Sequence, residues 1–202
     1  MSNHYYSEKP TVESSRKKWD SELRGIKMVF TSDAGVFSKK EVDFGTRLLL
    51  EVYQYPSIEG DILDVGCGYG PIGLTLAKEG QDRNLVMVDM NERALELSEL
   101  NAKLNDITNV SIKKSNLLNA LEGKSFASIL SNPPIRAGKK VIHQLFEEAY
   151  DHLENMGELW IVIQKKQGAP SAIEKLEELF GEVQIQKKSK GYYIIRAKKQ
   201  LT

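Results

Sequence analysis

Asp61-Ile62-Leu63-Asp64-Val65-Gly66-Cys67-Gly68-Tyr69-Gly70-Pro71-Ile72-Gly73 is the stretch around which the fold of this 202-residue chain is organised. The apolar run Ile62–Val65 predicts a buried β-strand, and Pro71 lies where the first turn of a helix begins. Three glycines at alternate positions between them allow the backbone to turn sharply and leave space for a ligand beside the main chain. A strand that passes through such a turn into a helix directs free N–H groups at the ligand. The stretch therefore predicts a nucleotide-type cofactor site.

Two classes of cofactor fit this glycine pattern. Gly68-x-Gly70-x-x-Gly73 matches the dinucleotide fingerprint, which is weak evidence when it stands alone. As Asp64-x-Gly66-x-Gly68-x-Gly70, the same loop resembles motif I of the class I S-adenosylmethionine methyltransferases. A sulfonium cofactor carries no pyrophosphate, so the carboxylate of Asp64 would not be repelled by it. Asp89 ends the next predicted strand and can accept from both ribose hydroxyls of either cofactor, so it does not discriminate between them.

The composition limits the class of protein. With 28 basic and 28 acidic residues the net charge is zero, although residues 160–202 carry nine basic and four acidic side chains. Such segregation suits a polyanionic partner bound away from the cofactor. Cys67 is the only cysteine, which excludes an internal disulfide and favours a reducing compartment. Because no signal-like amino terminus and no apolar run near twenty residues occurs, we expect a cytoplasmic protein.

Strand and helix patterns alternate along the chain, which predicts a mostly parallel sheet with helices on both faces. Two β-rich runs around Lys187–Gly191 predict a C-terminal hairpin that adds one antiparallel strand. We therefore predict a Rossmann-like α/β fold with a seven-stranded sheet of the methyltransferase type. Its domain would cover residues 25–202 and follow an amino-terminal arm, residues 1–24. The helices are predicted at Lys39–Tyr53, from Pro71, from Glu92 to about Leu104 after the N-cap Asn91, at Lys140–Leu153, and from the capping box Ser171-x-x-Glu174 to Phe180.

The motif Asn132-Pro133-Pro134-Ile135 decides between the two cofactor classes. It follows the apolar strand Phe126–Leu130 and so lies at the carboxyl edge of the sheet, where ligands bind in open α/β folds. Because the prolines have no N–H, this turn presents acceptors only. The side-chain oxygen of Asn132 and the carbonyl oxygen of Pro133 can both accept from one planar NH2 group. Such acceptors stabilise the charge that develops as an exocyclic amine attacks a methyl group.

Methyl transfer is favoured over hydride transfer because hydride transfer has no need of this turn. A sulfonium is already a good leaving group, so the reaction requires neither a metal nor a strong general base. Holding the nitrogen, the methyl group and the sulfur in line supplies much of the remaining rate enhancement.

The combination of Gly35-Val36-Phe37-Ser38, the glycine loop and Asn132–Ile135 resembles the methyltransferase small domain of bacterial small-subunit rRNA guanine-N2 methyltransferases of the RsmC type, over about residues 25–197. The resemblance implies that Asn132, Pro133 and Pro134 position the guanine amine, and that Phe37 lies beside the cofactor or the target base. The target base should be flipped or unpaired. By the same resemblance, the residues that hold S-adenosylmethionine are Asp64, Gly66, Gly68, Gly70, Asp89, Asn116 and Asn132.

The sequence departs from the family pattern at two positions. Asn116 stands where the family has an aspartate that contacts the adenine amine, and it still offers an acceptor. Ile135 stands where adenine-N6 and release-factor glutamine enzymes carry an aromatic residue, and isoleucine stacks less strongly on a flipped base. Members of the guanine-N2 family often carry, in addition, a degenerate amino-terminal copy of the domain that binds the substrate. This chain has no room for one, so we expect its own surface or a partner to recognise the RNA.

A basic surface beside the motif is the predicted RNA contact. Arg136, Lys139 and Lys140 follow the motif, and Lys165-Lys166 follow the next strand at the same sheet edge. Phosphate contacts there would position rRNA or a small ribosomal subunit without reading its sequence, and solvated lysines at loop ends are the alternative explanation. A methyltransferase of protein glutamine or of a small molecule, and a non-catalytic RNA-binding module, also remain open. The oligomeric state does not follow from the sequence.

Overall fold

The computed structural model describes residues 13–36, 41–133 and 138–201. Four of the predicted site residues lie outside these ranges: Phe37, Pro134, Ile135 and Arg136.

Strands and helices alternate through the described ranges, as the sequence pattern predicts. The strands are β1 (Lys17–Leu23), β2 (Ile26–Ser32), β3 (Ile62–Val65), β4 (Leu85–Asp89), β5 (Val110–Lys114), β6 (Phe126–Ser131), β7 (Leu153–Gln164), β8 (Glu182–Ser189) and β9 (Tyr192–Lys198). The helices are α1 (Phe44–Val52), α2 (Pro71–Glu79), α3 (Glu92–Leu104), α4 (Gly138–His152) and α5 (Ala169–Leu179). None of the helices in the described part of the chain has the length and apolar character needed to cross a bilayer.

Seven strands form one sheet in the order β5-β4-β3-β6-β7-β9-β8. All neighbouring pairs from β5 to β7 are parallel, while β9 runs antiparallel to both β7 and β8. This arrangement confirms the predicted seven-stranded, mostly parallel Rossmann-like sheet with one antiparallel strand from a C-terminal hairpin. The strand order reverses between β3 and β6, and in open α/β sheets the carboxyl edge at such a reversal is where ligands bind.

The core lies on both faces of the sheet. Every residue of β3, β4 and β6 is buried, as expected for parallel strands that are covered by helices on each side. One face packs against α1, α2 and α3, and the other packs against α4 and α5.

A separate hairpin of β1 and β2 covers part of the first face. The predicted boundary between arm and domain falls within its turn, Arg24–Gly25, so β1 belongs to the predicted arm although every one of its residues pairs with β2. Asn101 of α3 joins this hairpin to the glycine loop. Its side chain accepts from Thr31 N at 2.7 Å and donates to Thr31 O at 2.9 Å and Tyr69 O at 2.8 Å.

Three helices begin at other residues than the sequence pattern predicts. Helix α4 begins at Gly138, two residues ahead of the predicted Lys140. Helix α1 begins at Phe44 and not at Lys39, because Asp43 has an extended conformation and its side chain caps the helix by accepting from Thr46 N. Helix α5 begins at Ala169, directly after the left-handed Gly168, so the predicted capping box at Ser171 is wrong. The hydroxyl of Ser171 instead lies 3.4 Å from His143 Nε2 of α4.

The C-terminal hairpin is longer than its sequence suggests. Strand β8 continues through Lys187 and Lys188, which the sequence pattern assigns to the turn. Only Lys190 and Gly191 remain between the strands, with φ of 47° and 80°. Positive φ at both central residues matches the right-handed twist of the strands, so a two-residue turn suffices.

Replacement of Asn101 tests the junction between the hairpin and the glycine loop. Asn101→Ala removes three hydrogen bonds, one from the buried Thr31 N–H and two to carbonyl oxygens, so we expect the free energy of unfolding to fall by about 3 kcal/mol. Glu99→Ala, at an exposed position of the same helix, serves as the control and should change it by less than about 0.5 kcal/mol. Urea denaturation of both variants measures the difference, and equal stabilities would contradict the assignment.

Candidate functional site

The glycine loop after β3 is tied to the neighbouring strand. The N–H groups of Gly66 and Cys67 donate to the carbonyl oxygen of Val88 in β4, at 2.8 and 3.0 Å. Gly66 has φ of 72°, and a Cβ built there would meet no atom within 4 Å, so open space adjoins the main chain at this position. Gly70 differs, because a Cβ there would lie 2.6 Å from Leu74 Cδ1. Glycine is thus compatible with close ligand approach at Gly66, whereas packing requires it at Gly70.

Asp64 lies beneath this loop with one oxygen unsatisfied. Its Oδ2 accepts from Gly73 N at 2.9 Å, but its buried Oδ1 has no hydrogen-bond partner within the described ranges. Burial raises the pKa of Asp64 to about 7, the Gly73 N–H lowers it, and the nearby Asp89 raises it further. A buried carboxylate oxygen without a donor is costly, so Asp64 fits a ligand that brings a hydrogen-bond donor or positive charge.

Asp89, at the end of β4, shapes the same loop. Its Oδ2 accepts from Gly68 N at 2.9 Å, and its Oδ1 accepts from Asn91 N at 2.9 Å. Burial raises the pKa of Asp89, while the N–H groups of Asn91 and Gly68 lower it. Each carboxylate oxygen has capacity for a further hydrogen bond, which matches the predicted acceptance from ribose hydroxyls.

Asn116 lies at the same edge, two residues after β5, and it is exposed. The adjacent Ser115 N donates to Asp89 O at 3.0 Å, which links the end of β5 to the end of β4. The structure thus brings the six predicted cofactor residues of the first three parallel strands to one edge: Asp64, Gly66, Gly68, Gly70, Asp89 and Asn116.

Asn132 follows β6 at this edge, and it is half-buried, as is Pro133. Its Nδ2 donates to Thr46 Oγ1 at 2.9 Å and contacts Asp43 Oδ1 and Oδ2 at 3.2 and 3.3 Å. No residue in the described ranges donates to Oδ1 of Asn132, so that oxygen can accept from a ligand. Sequence reasoning missed Asp43 and Thr46. The one signal for Asp43 was its suitability as a helix cap, which gave no indication of contact with a residue 89 positions away.

Exposed lysines surround this edge. Lys139 and Lys140 lie in the first turn of α4, and Lys165 and Lys166 lie directly after β7. Lys165 N donates to Gly191 O at 2.8 Å, which brings the turn of the C-terminal hairpin, with its exposed Lys190, to the same place. Sequence reasoning missed Lys190 because the length of the hairpin was not predicted. In the described ranges no three His, Cys, Asp or Glu side chains are grouped to hold a metal ion.

The raised pKa of Asp64 makes a prediction about stability. The folded protein retains a proton up to about pH 7, whereas the unfolded chain, with a carboxyl pKa near 3.8, has released it. The free energy of unfolding should therefore fall as the pH rises between these two values. Asp64→Asn removes this titration but leaves that of Asp89, so the variant should lose less stability than the unchanged chain between pH 5 and pH 8. Urea denaturation at both pH values measures this, and parallel losses would contradict it.

Comparison with protein families gives one match over most of the chain. The family model of the methyltransferase small domain matches residues 27–196. The uncharacterized protein YbxB of Bacillus subtilis is 64% identical over 200 residues, which cover 98% of this chain and 100% of that protein.

Two relatives with named rRNA methyltransferase activity are longer than this chain. The ribosomal RNA small subunit methyltransferase C of Vibrio cholerae is 29% identical over 192 residues, which cover 93% of this chain but 54% of that protein. The structure of the T. thermophilus 16S rRNA N2 G1207 methyltransferase (RsmC) in complex with AdoMet and guanosine superposes with a TM-score of 0.82 at 27% identity, covering 95% of this chain and 52% of that one. The chain thus spans about half the length of these two relatives. The match over residues 27–196 shows that the chain belongs to the methyltransferase small domain family.

Proposed function

We propose that this chain transfers a methyl group from S-adenosylmethionine to the exocyclic N2 amine of a guanine in small-subunit rRNA. The observation that carries the proposal is the orientation of Asn132, whose NH2 group is bound by α1 and whose Oδ1 receives no hydrogen bond from the described residues.

The cofactor residues fit S-adenosylmethionine. Asp64 offers a buried oxygen without a donor, the space beside Gly66 admits a ligand to the main chain, and Asp89 keeps acceptor capacity for the ribose hydroxyls. Gly68, Gly70 and Asn116 complete the binding edge, with Asn116 accepting from the adenine amine. The bound cofactor supplies an electrophilic methyl group on a sulfonium sulfur. The residues of this chain therefore have to orient the acceptor and need not activate the donor.

The acceptor amine would be held by two oxygens. Oδ1 of Asn132 and the carbonyl oxygen of Pro133 each accept one of its hydrogens, which favours a tetrahedral nitrogen and stabilises the charge that develops on it. Asn132 also adjoins the cofactor at this edge. Pro134 has no N–H to donate, and by the family resemblance Phe37 and Ile135 would contact the target base.

Guanine N2 is favoured over other amines for two reasons. Ile135 lacks the aromatic ring that adenine-N6 and glutamine enzymes use at this position. The T. thermophilus relative is a guanine-N2 enzyme whose structure contains guanosine. Arg136, Lys139 and Lys140, together with Lys165 and Lys166, would bind the RNA backbone.

Transfer of labelled methyl groups tests the proposal. Isolated small subunits, isolated large subunits, naked rRNA and a total protein extract are each incubated with the chain and labelled S-adenosylmethionine, and the nucleosides are separated by mass. We expect label as N2-methylguanosine in small-subunit rRNA. Label in large-subunit rRNA would show that this RNA, and not small-subunit rRNA, is the substrate. Label in protein would support the glutamine methyltransferase, and cofactor binding without transfer to RNA or protein would support a small-molecule methyltransferase or a non-catalytic RNA-binding module.

Asn132→Ala separates catalysis from cofactor binding. We expect the rate of methyl transfer to fall by about 100-fold or more, since an acceptor aimed at developing charge is lost. The affinity for S-adenosylmethionine, measured by calorimetry, should change little because Asp64 and Asp89 remain. Equal losses of rate and of affinity, or a fully active variant, would contradict the mechanism.

The basic edge makes a separate prediction. The double variant Lys165→Gln/Lys166→Gln should bind rRNA more weakly and reduce the slope of log affinity against log salt by about one to two. The matched control is Lys103→Gln/Lys124→Gln, two exposed lysines at the end of α3 and before β6, on the opposite edge of the sheet. Filter binding at several salt concentrations measures both. An identical slope in the two double variants would remove this edge from the RNA interface.

A further inference from the structure

We infer that Asp43 and Thr46 are positioning residues for methyl transfer: they hold the Asn132 amide so that its oxygen, and not its NH2 group, meets the acceptor amine. The inference rests on the proposed function for the identity of the amine. It concerns Thr46 of α1 and the N-cap residue Asp43, which the sequence motifs do not assign to the site.

The orientation of the Asn132 amide follows from charge. Both carboxylate oxygens of Asp43 lie 3.2–3.3 Å from the terminal nitrogen of Asn132. An ionised carboxylate only accepts hydrogen bonds, so the atom that faces it has to be a donor. A flipped amide would bring Oδ1 against two negatively charged oxygens at the same distance and would be repelled. Asp43 therefore selects one of the two orientations of the amide.

Thr46 adds a short contact to the same NH2 group. Its Oγ1 lies 2.9 Å from Asn132 Nδ2, and its side chain is buried, so water does not compete effectively for this bond. Thr46 N also donates to Asp43 Oδ1 at 3.2 Å, which keeps the carboxylate in place. Asp43 and Thr46 thus form one unit that both begins α1 and binds the catalytic asparagine.

The start of α1 is itself fixed by its neighbours. The guanidinium of Arg47 donates to Val42 O at 3.1 Å and to Ser21 Oγ of β1 at 3.0 Å. On another side, a Cβ added to Gly45 would lie 2.9 Å from Tyr192 Cε1, so the helix packs closely against β9. Since α1 is anchored to both the hairpin and the sheet, Asp43 and Thr46 can hold Asn132 without moving with it.

Without this unit the amide can present either end to the substrate. An NH2 group facing the acceptor amine would place two donors against each other and would leave the developing charge without an acceptor. The loss should therefore appear in kcat, while cofactor binding, which depends on the residues at the carboxyl ends of β3, β4 and β5, should be preserved.

Two substitutions separate positioning from helix capping. Asp43→Asn keeps a good N-cap, because asparagine caps helices about as well as aspartate, but it no longer offers two acceptors to Asn132. We expect kcat to fall about 100-fold. Thr46→Val removes Oγ1 at nearly the same volume and should lower kcat by about tenfold, whereas Thr46→Ser keeps the oxygen and should retain nearly full activity. For all three variants we expect an unchanged KM for RNA and an unchanged dissociation constant for S-adenosylmethionine.

A measurement without turnover completes the test. In protein labelled with 15N at asparagine, the Asn132 NH2 resonance is identified by its loss in Asn132→Ala. We expect its hydrogens to exchange with solvent faster in Asp43→Asn and in Thr46→Val than in the unchanged chain and in Thr46→Ser.

The outcomes distinguish the inference from the proposed function. Exchange rates that are the same in all chains, or Asp43→Asn with unchanged kcat, would overturn the positioning role. An unchanged chain that makes no N2-methylguanosine would overturn the proposed function, while faster exchange in the two variants would still support the positioning of Asn132.

Discussion

The hydrogen bonds that tie the glycine loop to β4 are the constraint on which the site depends. Gly66 N and Cys67 N share one carbonyl acceptor, Val88 O, and Gly68 N is bound one residue later by the carboxylate of Asp89. These three successive N–H groups all have hydrogen-bond acceptors within the protein. The conformation of the loop is therefore fixed without a ligand. The charge on Asp89 is tolerated in a buried place because the N–H groups of Gly68 and Asn91 donate to its carboxylate.

The part of the site around Asn132 is held by side-chain contacts and not by backbone hydrogen bonds. Asn132 extends from a parallel strand, but its orientation is determined by a helix that covers one face of the sheet and does not follow β6 in sequence. In the proposed function, the cofactor half therefore depends on backbone turns, and the acceptor half depends on contacts between side chains from distant elements. A substitution in α1 could damage catalysis without changing any residue of the recognised motifs.

The sequence predicted those strand and helix bounds that depend on residues close together in the chain. The bounds of β3 and α3 and the first residue of α2 were predicted as the structure has them, because buried parallel strands are continuous apolar runs and because Pro71 and Asn91 mark helix starts. The seven-stranded, mostly parallel sheet was predicted from the alternation of strands and helices and from the resemblance to methyltransferases, whereas the order of its strands was not predicted. The start of α5 was missed because Gly168 and Pro170 together begin that helix ahead of Ser171. The contact of Asp43 and Thr46 with Asn132 was missed because no periodicity connects residues so far apart in the chain.

The position of β9 has a consequence for how the chain folds during synthesis. Strand β8 pairs with β9 alone, and β9 lies between it and β7, although β9 follows both in the chain. While the ribosome is still making β9, the edge of β7 is open and β8 has no partner. The half of the sheet that carries the glycine loop can form earlier, because its strands neighbour one another in order. The nascent protein thus has an exposed strand edge until nearly two hundred residues have been made, and an exposed edge is where strands of other chains can add.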